Sequence, residues 1–377
     1  MKKIAILSPK IPLEQCGVGD YSMNISLQLC QFNFKVLLIG KNLVKCISNK
    51  SQIHSITSLS KSRAILGIRR LKYLYKNEYS TLLIQYVPSL YSRIGFPLNL
   101  IISIFILKTL GIRVNTVFHE TFHRFSFRSK RSFLLYLPCK LGTIALAKLS
   151  NIIYTSNDFY IEQLGNYNPS LIRIPSNFEY WSKSINIKNL SINSNKNDTF
   201  SICLFRPKRW ASSFLATNID AIISQIPDIQ FIILGDDGGI PDINLNTNYL
   251  SKFCTITKRL KQNDILKAMH SCHVYLAMEG RNYEFEWNGI STKSGTLATA
   301  FYVGMPIIGL DGELTDAILK DCGGVTFIEP NVNSLIEAIK ELKADNIKFQ
   351  NKSIETYSFY KKHLAWKHTL DSIRNDI

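Results

Sequence analysis

The sequence predicts an α/β protein built from two Rossmann-like domains facing across a cleft, and three observations carry that expectation. Short apolar runs such as Lys2–Ser8 and Phe200–Phe205 alternate with helical stretches along the chain, the pattern of parallel strands covered on both faces. At 377 residues the chain suits two domains of about 180 residues each. Between Tyr180 and Phe200 the composition turns to Ser, Asn, Lys and Ile, and strand–helix alternation starts afresh after it. The expected division is therefore 1–180, a linker at 181–199, a second domain at 200–350 and a closing helix at 351–377.

The first strand, Lys2–Ser8, runs into a loop at Pro9–Gly19, and a helix follows from Asp20, a suitable N-cap, to Phe32. Gly17, Val18 and Gly19 lie at the turn but lack the full GxGxxG spacing, so a dinucleotide site is only weakly signalled. Strands at Lys35–Ile39, Thr81–Val87, Ile112–Phe118, Asn151–Thr155 and Leu171–Pro175 are interleaved with helices at Pro97–Leu110 and Ser129–Leu149. The apolar segment Phe96–Leu110 is too short, and too interrupted by Lys108, to span a bilayer. It is either a buried helix or one resting on a membrane surface. In the second half, strands are expected at Phe200–Phe205, Gln230–Leu234, Phe253–Thr257 and His273–Ala277, with helices at Ser213–Ile223 and Asn263–Ser271. Strands at Pro306 and Val325 and two terminal helices complete the series.

The stretch with most chemical content is Gly289-Ile290-Ser291-Thr292-Lys293-Ser294-Gly295-Thr296, leading into a helix from Leu297 to Val303. A loop that opens into a helix leaves backbone N–H groups pointing outward at the positive end of the dipole, an anion site. Gly295 lets backbone approach a ligand and Lys293 adds a charge; the plainer alternative is an ordinary Ser/Thr-capped core helix. Arg206, Lys208 and Arg209 follow the first strand of the second domain and would complete a diphosphate clamp. Glu279, Glu284 and Glu286 crowd the approach and either hold sugar hydroxyls or are surface charge.

His119-Glu120-Thr121-Phe122-His123 matches HExxH literally, but zinc hydrolysis needs both histidines on one helical face. Here the run directly follows a strand, and no His or acidic residue occurs from Arg124 to Asn157 to add a ligand. No metal site is expected. His119 is better placed as a polar group at a strand's carboxyl end, facing the cleft, with a satisfied structural histidine as the alternative. The eight cysteines are scattered without a CxxC pair, which suits reduced thiols in a cytosolic protein. The N-terminal apolar run is too short for a signal peptide.

The net charge of +17 is concentrated in one half. Residues 1–180 hold 23 Lys and Arg against 7 Asp and Glu, a net +16, whereas residues 181–377 are close to neutral at +1. Arg124, Arg128, Lys130, Arg131, Lys140 and Lys148 mark a basic surface facing something anionic, either a membrane or nucleic acid, or simply solvated.

Taken in order, several runs resemble the GT-B glycosyltransferases, family 4 in particular. They are Gly17–Tyr21, Gln85-Tyr86-Val87-Pro88, Thr116–Glu120, Ile174-Pro175-Ser176-Asn177, Ile233-Leu234-Gly235 and the 289–296 loop with Gly304-Met305-Pro306. Trp366 in the last helix fits as well. The resemblance implies that the second domain binds a nucleotide-diphospho-sugar and the first an acceptor, with the last helix returning to the first domain. The diphosphate would meet Arg206, Lys208, Lys293, Ser294, Gly295 and Thr296. The nucleoside would lie near Gly235, Asp236, Lys258, Arg259, Leu260 and Thr299, and the sugar near Glu286, Ser291 and Thr292. His119 and Asp20 would be catalytic, beside the Gly17–Gly19 loop. It further implies no cofactor or metal, retention of configuration, and a glycan or lipid-linked acceptor at the cytoplasmic face of the plasma membrane, in surface polysaccharide or lipopolysaccharide synthesis. Nucleic acid is not an expected partner, since no recognition module accompanies the charge. One departure stands out. Many members carry two glutamates eight positions apart where this chain has Ser291 and Thr299. A nucleotide-sugar binding subunit that lost catalysis is the alternative it raises.

Overall fold

The computed structural model describes residues 2–12, 16–48, 52–60, 64–122, 130–179, 199–207, 209–235, 252–258, 260–280 and 287–377. The chain divides into two compact units, 1–173 with 367–377, and 174–366.

The first unit is built on an eight-stranded sheet: β1 (Lys2–Leu7), β2 (Phe34–Ile39), β3 (Val44–Ser48), β4 (Gln52–Ser55), β5 (Thr81–Tyr86), β6 (Arg113–Phe118), β7 (Ile152–Thr155) and β8 (Ser170–Leu171). Their order is β4-β3-β2-β1-β5-β6-β7-β8. From β2 to β8 all neighbours are parallel, and Ile4–Leu7, Val36–Ile39 and Leu82–Ile84 are buried on both faces. The edge pair β3–β4 is antiparallel to β2 and to itself. The sequence reading did not anticipate it. Only four residues separate β2 from β3, too few for a crossover helix, so the chain turns back on itself.

Arg70, on the helix Ile68–Lys76, fixes that turn from within. It is 1% exposed and donates to the carbonyls of Leu59 (2.8 Å), Gly40 (2.9 Å), Ile65 (2.5 Å) and Lys41 (3.1 Å). Its guanidinium is thus wrapped in backbone oxygens, which meets the cost of burying the charge.

The second unit has six strands: β9 (Phe200–Phe205), β10 (Ile229–Leu234), β11 (Cys254–Ile256), β12 (Val274–Ala277), β13 (Ile307–Leu310) and β14 (Val325–Ile328). Their order is β11-β10-β9-β12-β13-β14, and every pair is parallel. The two faces carry separate apolar cores, one around Phe301, Met269 and Leu319 and the other around Ile222, Phe231 and Leu335.

Four expectations need adjustment. The first helix runs Gly17–Gln31 with Cys16 as its N-cap, so Asp20 is not the cap but an exposed first-turn residue whose N–H donates to Cys16 O at 2.9 Å. The strand expected at Leu171–Pro175 is only Ser170–Leu171, because the N–H of Ile174 donates to Thr292 O (3.2 Å) in the second unit and Pro175 has none to give. The units therefore part at Arg173/Ile174, ahead of the 181–199 segment, of which only Thr199 lies within the described residues. The closing helix is two pieces. Asn346–Phe359 continues as a π-helical turn at Tyr360–Leu364, Ala365 is extended (φ −61°, ψ 146°), and a new helix starts at Trp366. It is residues 367–377 that join the first unit. There Tyr154 donates its hydroxyl hydrogen to Asp376 at 2.6 Å, and Thr369 Oγ1 donates to Arg173 O at 3.1 Å.

Replacing Arg70 with methionine removes the donor from four backbone carbonyls, those of Leu59 and Gly40 in buried bonds. We expect it to lower unfolding free energy by about 3 kcal/mol, read from urea denaturation; an unchanged midpoint would show that the turn holds without it.

Candidate functional site

In the second unit the strand order reverses between β9 and β12, so the chains leaving their carboxyl ends diverge and leave a crevice, the place where open α/β sheets bind ligands. A recess of about 30 Å³ lies there. Arg206 and Pro207 line it beyond β9, Met278 and Glu279 beyond β12, and Ser294 and Thr296 from the 289–296 loop. Its volume corresponds to roughly two water molecules, so it fits the tip of an anion and leaves the bulk of a larger ligand outside.

The loop is pinned to the segment after β13. Ile290 N donates to Leu310 O (3.0 Å), and Leu314 N to Asn288 O (2.9 Å). Gly289 has φ +69°, and a Cβ there would sit 2.2 Å from Thr315 Oγ1, so only glycine fits this crossing. Next, a single oxygen, Asp316 Oδ2, accepts three hydrogen bonds: from Thr292 N (2.7 Å), Thr292 Oγ1 (2.9 Å) and Ser291 Oγ (3.1 Å). Ser291, Thr292 and Asp316 are all buried. Asp316 precedes the short helix Ala317–Lys320, yet its side chain caps nothing there and serves the loop instead.

With the loop held, the helix Gly295–Tyr302 starts at the recess. Ser294 is its N-cap: Oγ accepts from Leu297 N at 3.3 Å, and Ser294 O accepts from Ala298 N at 2.9 Å. The N–H groups of Gly295 and Thr296 have no intrahelical partner and form the positive end of the dipole. A Cβ on Gly295 would meet nothing nearer than Asn177 Nδ2 at 3.9 Å among the described residues. Packing does not demand glycine here; the space it leaves faces the first turn. Lys293 is half-buried beside it.

Arg206 has φ +50°, a left-handed backbone that costs a non-glycine residue about 1–2 kcal/mol. Such strain, placed where a side chain enters a crevice, is the kind that function retains. Gly235 (φ +70°) makes room for it, since a Cβ at 235 would lie 3.2 Å from Arg206 Cγ. The N–H of Gly235 donates to Thr257 Oγ1 at 3.3 Å.

The structure thus brings Arg206, Lys293, Ser294, Gly295, Thr296 and Glu279 to one end of the sheet and separates others from it. Thr299 is fully buried, donating to Gly295 O (2.7 Å) and paired with Ser176 Oγ (3.1 Å), so its hydroxyl holds the helix rather than facing a nucleoside. Thr292 likewise gives its hydroxyl to Asp316, as does Ser291, which also lines the recess. Lys258 is exposed beyond β11, and Leu260 packs against the core; neither lines the recess. Lys208, Asp236, Arg259, Glu284 and Glu286 lie outside the described residues.

In the first unit His119 directly follows β6 and is 9% exposed. Its Nε2 donates to Gln85 Oε1 at 2.7 Å, and Tyr21 meets its ring edge-on at 5.2 Å. The imidazole is a packed, oriented group rather than an open one. Residues 119–122 are not helical, so the HExxH spacing does not put its residues on a helical face; His123 is outside the described residues. Gly17, Val18 and Gly19 form the first helical turn, with Gly19 packed tightly on the Lys10 carbonyl. Of the basic set, Arg124 and Arg128 lie outside the described residues, and Lys130 and Arg131 begin the helix Lys130–Leu149. Lys140 is partly buried, its ammonium 5.7 Å from the Phe122 ring centre and 5.3 Å from that of Tyr136.

Two residues that shape this end of the sheet escaped the sequence reading. Asp316 lies 24 positions from Thr292, with no local signal of its role. Tyr275, from β12, lines the recess; burial pushes its phenol well above the ordinary range, while a hydrogen bond with Thr296 lowers it. An apolar strand residue of this kind carries no mark in sequence.

Asp316→Ala would leave three buried donors unsatisfied. The expected loss of stability is about 3 kcal/mol by chemical denaturation; an unchanged midpoint would mean the loop holds its shape unaided.

No protein-family model matches the sequence, and no curated protein does. Solved structures match over essentially the whole chain. Sucrose-phosphate synthase from Thermosynechococcus elongatus aligns at a TM-score of 0.64 and 12% identity, covering 100% of this chain and 98% of that one. HepE from Anabaena, solved with UDP and glucose, aligns at 0.65 and 10% identity, covering 100% and 99%. The UDP-GlcNAc 2-epimerase of Neisseria meningitidis, bound to UDP-GlcNAc, aligns at 0.56 and 12%, covering 95% and 94%. At such identities the likeness is one of fold: this chain has the GT-B fold of two Rossmann-like α/β units, found in glycosyltransferases and in nucleotide-sugar epimerases.

Proposed function

We infer that the chain is a glycosyltransferase that takes a sugar from a nucleotide-diphospho-sugar and passes it to a glycan or lipid-linked acceptor in surface polysaccharide or glycolipid synthesis. The observation that carries this reading is the recess at the β9/β12 reversal, lined by Arg206, Glu279, Ser294 and Thr296, with Lys293 and the open space at Gly295 beside them at the start of the helix Gly295–Tyr302. That set suits a diphosphate: directed amide donors, a helix dipole and two cations. When the bond from sugar to phosphate breaks, the electron pair leaves with the nucleotide diphosphate, and these groups stabilise the charge as it grows. On this account the departing diphosphate is neutralised by protein groups, without a metal, and the sugar keeps its anomeric configuration. Glu279, lining the same recess, is placed to accept hydrogen bonds from sugar hydroxyls. The solved proteins of this fold that bind UDP or UDP-GlcNAc support a nucleotide-sugar ligand.

Two rivals share the fold. A binding subunit without catalysis is favoured by Ser291 and Thr299, whose buried, bonded hydroxyls stand where carboxylates were expected. An epimerase would convert the donor sugar with no acceptor present. Incubating the protein with a panel of UDP-, GDP- and ADP-sugars separates the three: acceptor-dependent release of nucleotide supports transfer, an acceptor-independent change in the sugar indicates epimerisation, and binding alone indicates a subunit.

Residue tests follow from the geometry. Gly295→Ala should leave the melting temperature unchanged or slightly raised, because its methyl enters open space, yet weaken nucleotide binding about tenfold by crowding the phosphate. Arg206→Gly should gain about 1 kcal/mol of stability by relieving its backbone, and lose nucleotide affinity. If Lys293→Ala combined with Arg206→Ala binds nucleotide as tightly as the parent in calorimetry, the diphosphate site is elsewhere.

A further inference from the structure

The first unit leaves a large apolar surface uncovered on two helices that pack together, Leu98–Thr109 and Lys130–Leu149. More than half of the large apolar side chains left exposed among the described residues fall between Ile94 and Leu141. On the first helix Leu98, Ile102 and Phe105 are 54%, 49% and 59% exposed, while Leu100, Ile104 and Leu107 bury the opposite face. That helix is apolar all round, a composition expected of a buried segment or one in contact with lipid. On the second, Leu134, Leu137 and Leu141 are 67%, 58% and 49% exposed, at helical spacing. The two helices approach closely: a Cβ on Gly142 would lie 2.7 Å from Pro97 Cδ.

We propose that this two-helix face is a docking surface for the interface of an anionic lipid bilayer. The occupant is argued from charge. Residues 79–157 contain nine Lys and Arg and one acidic residue, Glu120, and Arg93 and Lys148 are exposed on these segments. An exposed apolar strip on a segment this rich in cations fits acyl chains below and anionic headgroups around. The same charge disfavours a second copy as the cover, since two faces from halves of net +16 would repel. Among the described residues no helix is long and apolar enough to cross a membrane, so the contact is with one leaflet. The surface lies entirely in the first unit, and the proposal goes beyond the donor-site reading without depending on it.

The test is sedimentation with vesicles of phosphatidylcholine and phosphatidylglycerol, and of phosphatidylcholine alone. The parent protein should bind the mixed vesicles more tightly, with added salt weakening binding. Phe105→Ser, Leu134→Ser and Leu137→Ser together should reduce it about tenfold while leaving the melting temperature and nucleotide binding as in the parent. Vesicle binding that survives this triple change overturns the proposal, as does a parent protein that ignores vesicles. A parent dimer that the triple change converts to monomer, by light scattering, overturns it in favour of self-association. Failure of nucleotide binding in the parent would count against the donor site and leave the membrane result standing.

Discussion

One buried carboxylate organises the donor end of the second unit. The stretch from Trp287 to Ser294 has no regular structure, yet it must deliver a helix start to the mouth of the β9/β12 crevice. Asp316 Oδ2 takes two hydroxyls and an amide from this stretch, all in places solvent does not reach. A carboxylate in such surroundings is tolerable only when several donors replace its lost water. Here the replacement comes from the loop itself, so the stability of the charge and the shape of the loop are one constraint. Everything after it follows in register: Ser294 caps the helix, whose first N–H groups have no partner within the helix.

This division of labour explains why a hydroxyl-rich run need not be a hydroxyl-lined pocket. Ser291, Thr292 and Thr299 turn inward and are consumed by Asp316, Gly295 O and Ser176. Ser294 and Thr296 line the recess, and Ser291 reaches it as well as Asp316. Within nine residues the same side chains are divided between tying the loop down and lining the recess. Gly289 and Gly295 divide in the same way. The first is there because Thr315 Oγ1 lies 2.2 Å and the backbone N of Gly312 2.4 Å from where its Cβ would be, the second because nothing among the described residues occupies that space.

Much of the fold was legible because parallel strands buried on both faces are written as continuous apolar runs, and the reading found β1, β2, β5, β6, β9 and β10 within a residue of their ends. The helix that follows the 289–296 run was legible too, since a Ser/Gly-rich run ahead of an apolar stretch is a local signal with a local cause. What failed was non-local. Asp316 and Ser291 meet across 25 positions, and no periodicity announces it. The edge pair β3–β4 is short and half-exposed, so its sequence lacks the apolar density that marks a central strand. The unit boundary was sought where composition changes, but contacts shift earlier, where Ile174 finds a partner at Thr292. From there the segment is held within the second unit: Glu179 Oε2 accepts from Tyr360 OH at 2.6 Å and Trp366 N at 3.0 Å, and Trp366 Nε1 donates to Ser176 O at 2.8 Å. Both chain crossings are thereby tied together beside the helix that fronts the recess. The value of Trp366 lies in that tie, which a motif at the end of the sequence could not reveal.

The charge distribution sets how binding must work in each unit. Residues 181–377 are nearly neutral, so no broad field gathers anions toward the recess. On the proposed reading, affinity for a diphosphate there would rest on short-range donors whose strength depends on aim: two amides, one lysine, and an arginine held in a strained backbone. Such a site is sensitive to small displacements of the loop and comparatively insensitive to salt, because its contacts lie well within a Debye length of about 8 Å. The basic first half obeys the opposite logic, where many cations act at range and no single one is decisive. Position therefore governs the donor end and number governs the basic surface, which is why a single oxygen of Asp316 can matter more to nucleotide binding than any lysine of the first unit.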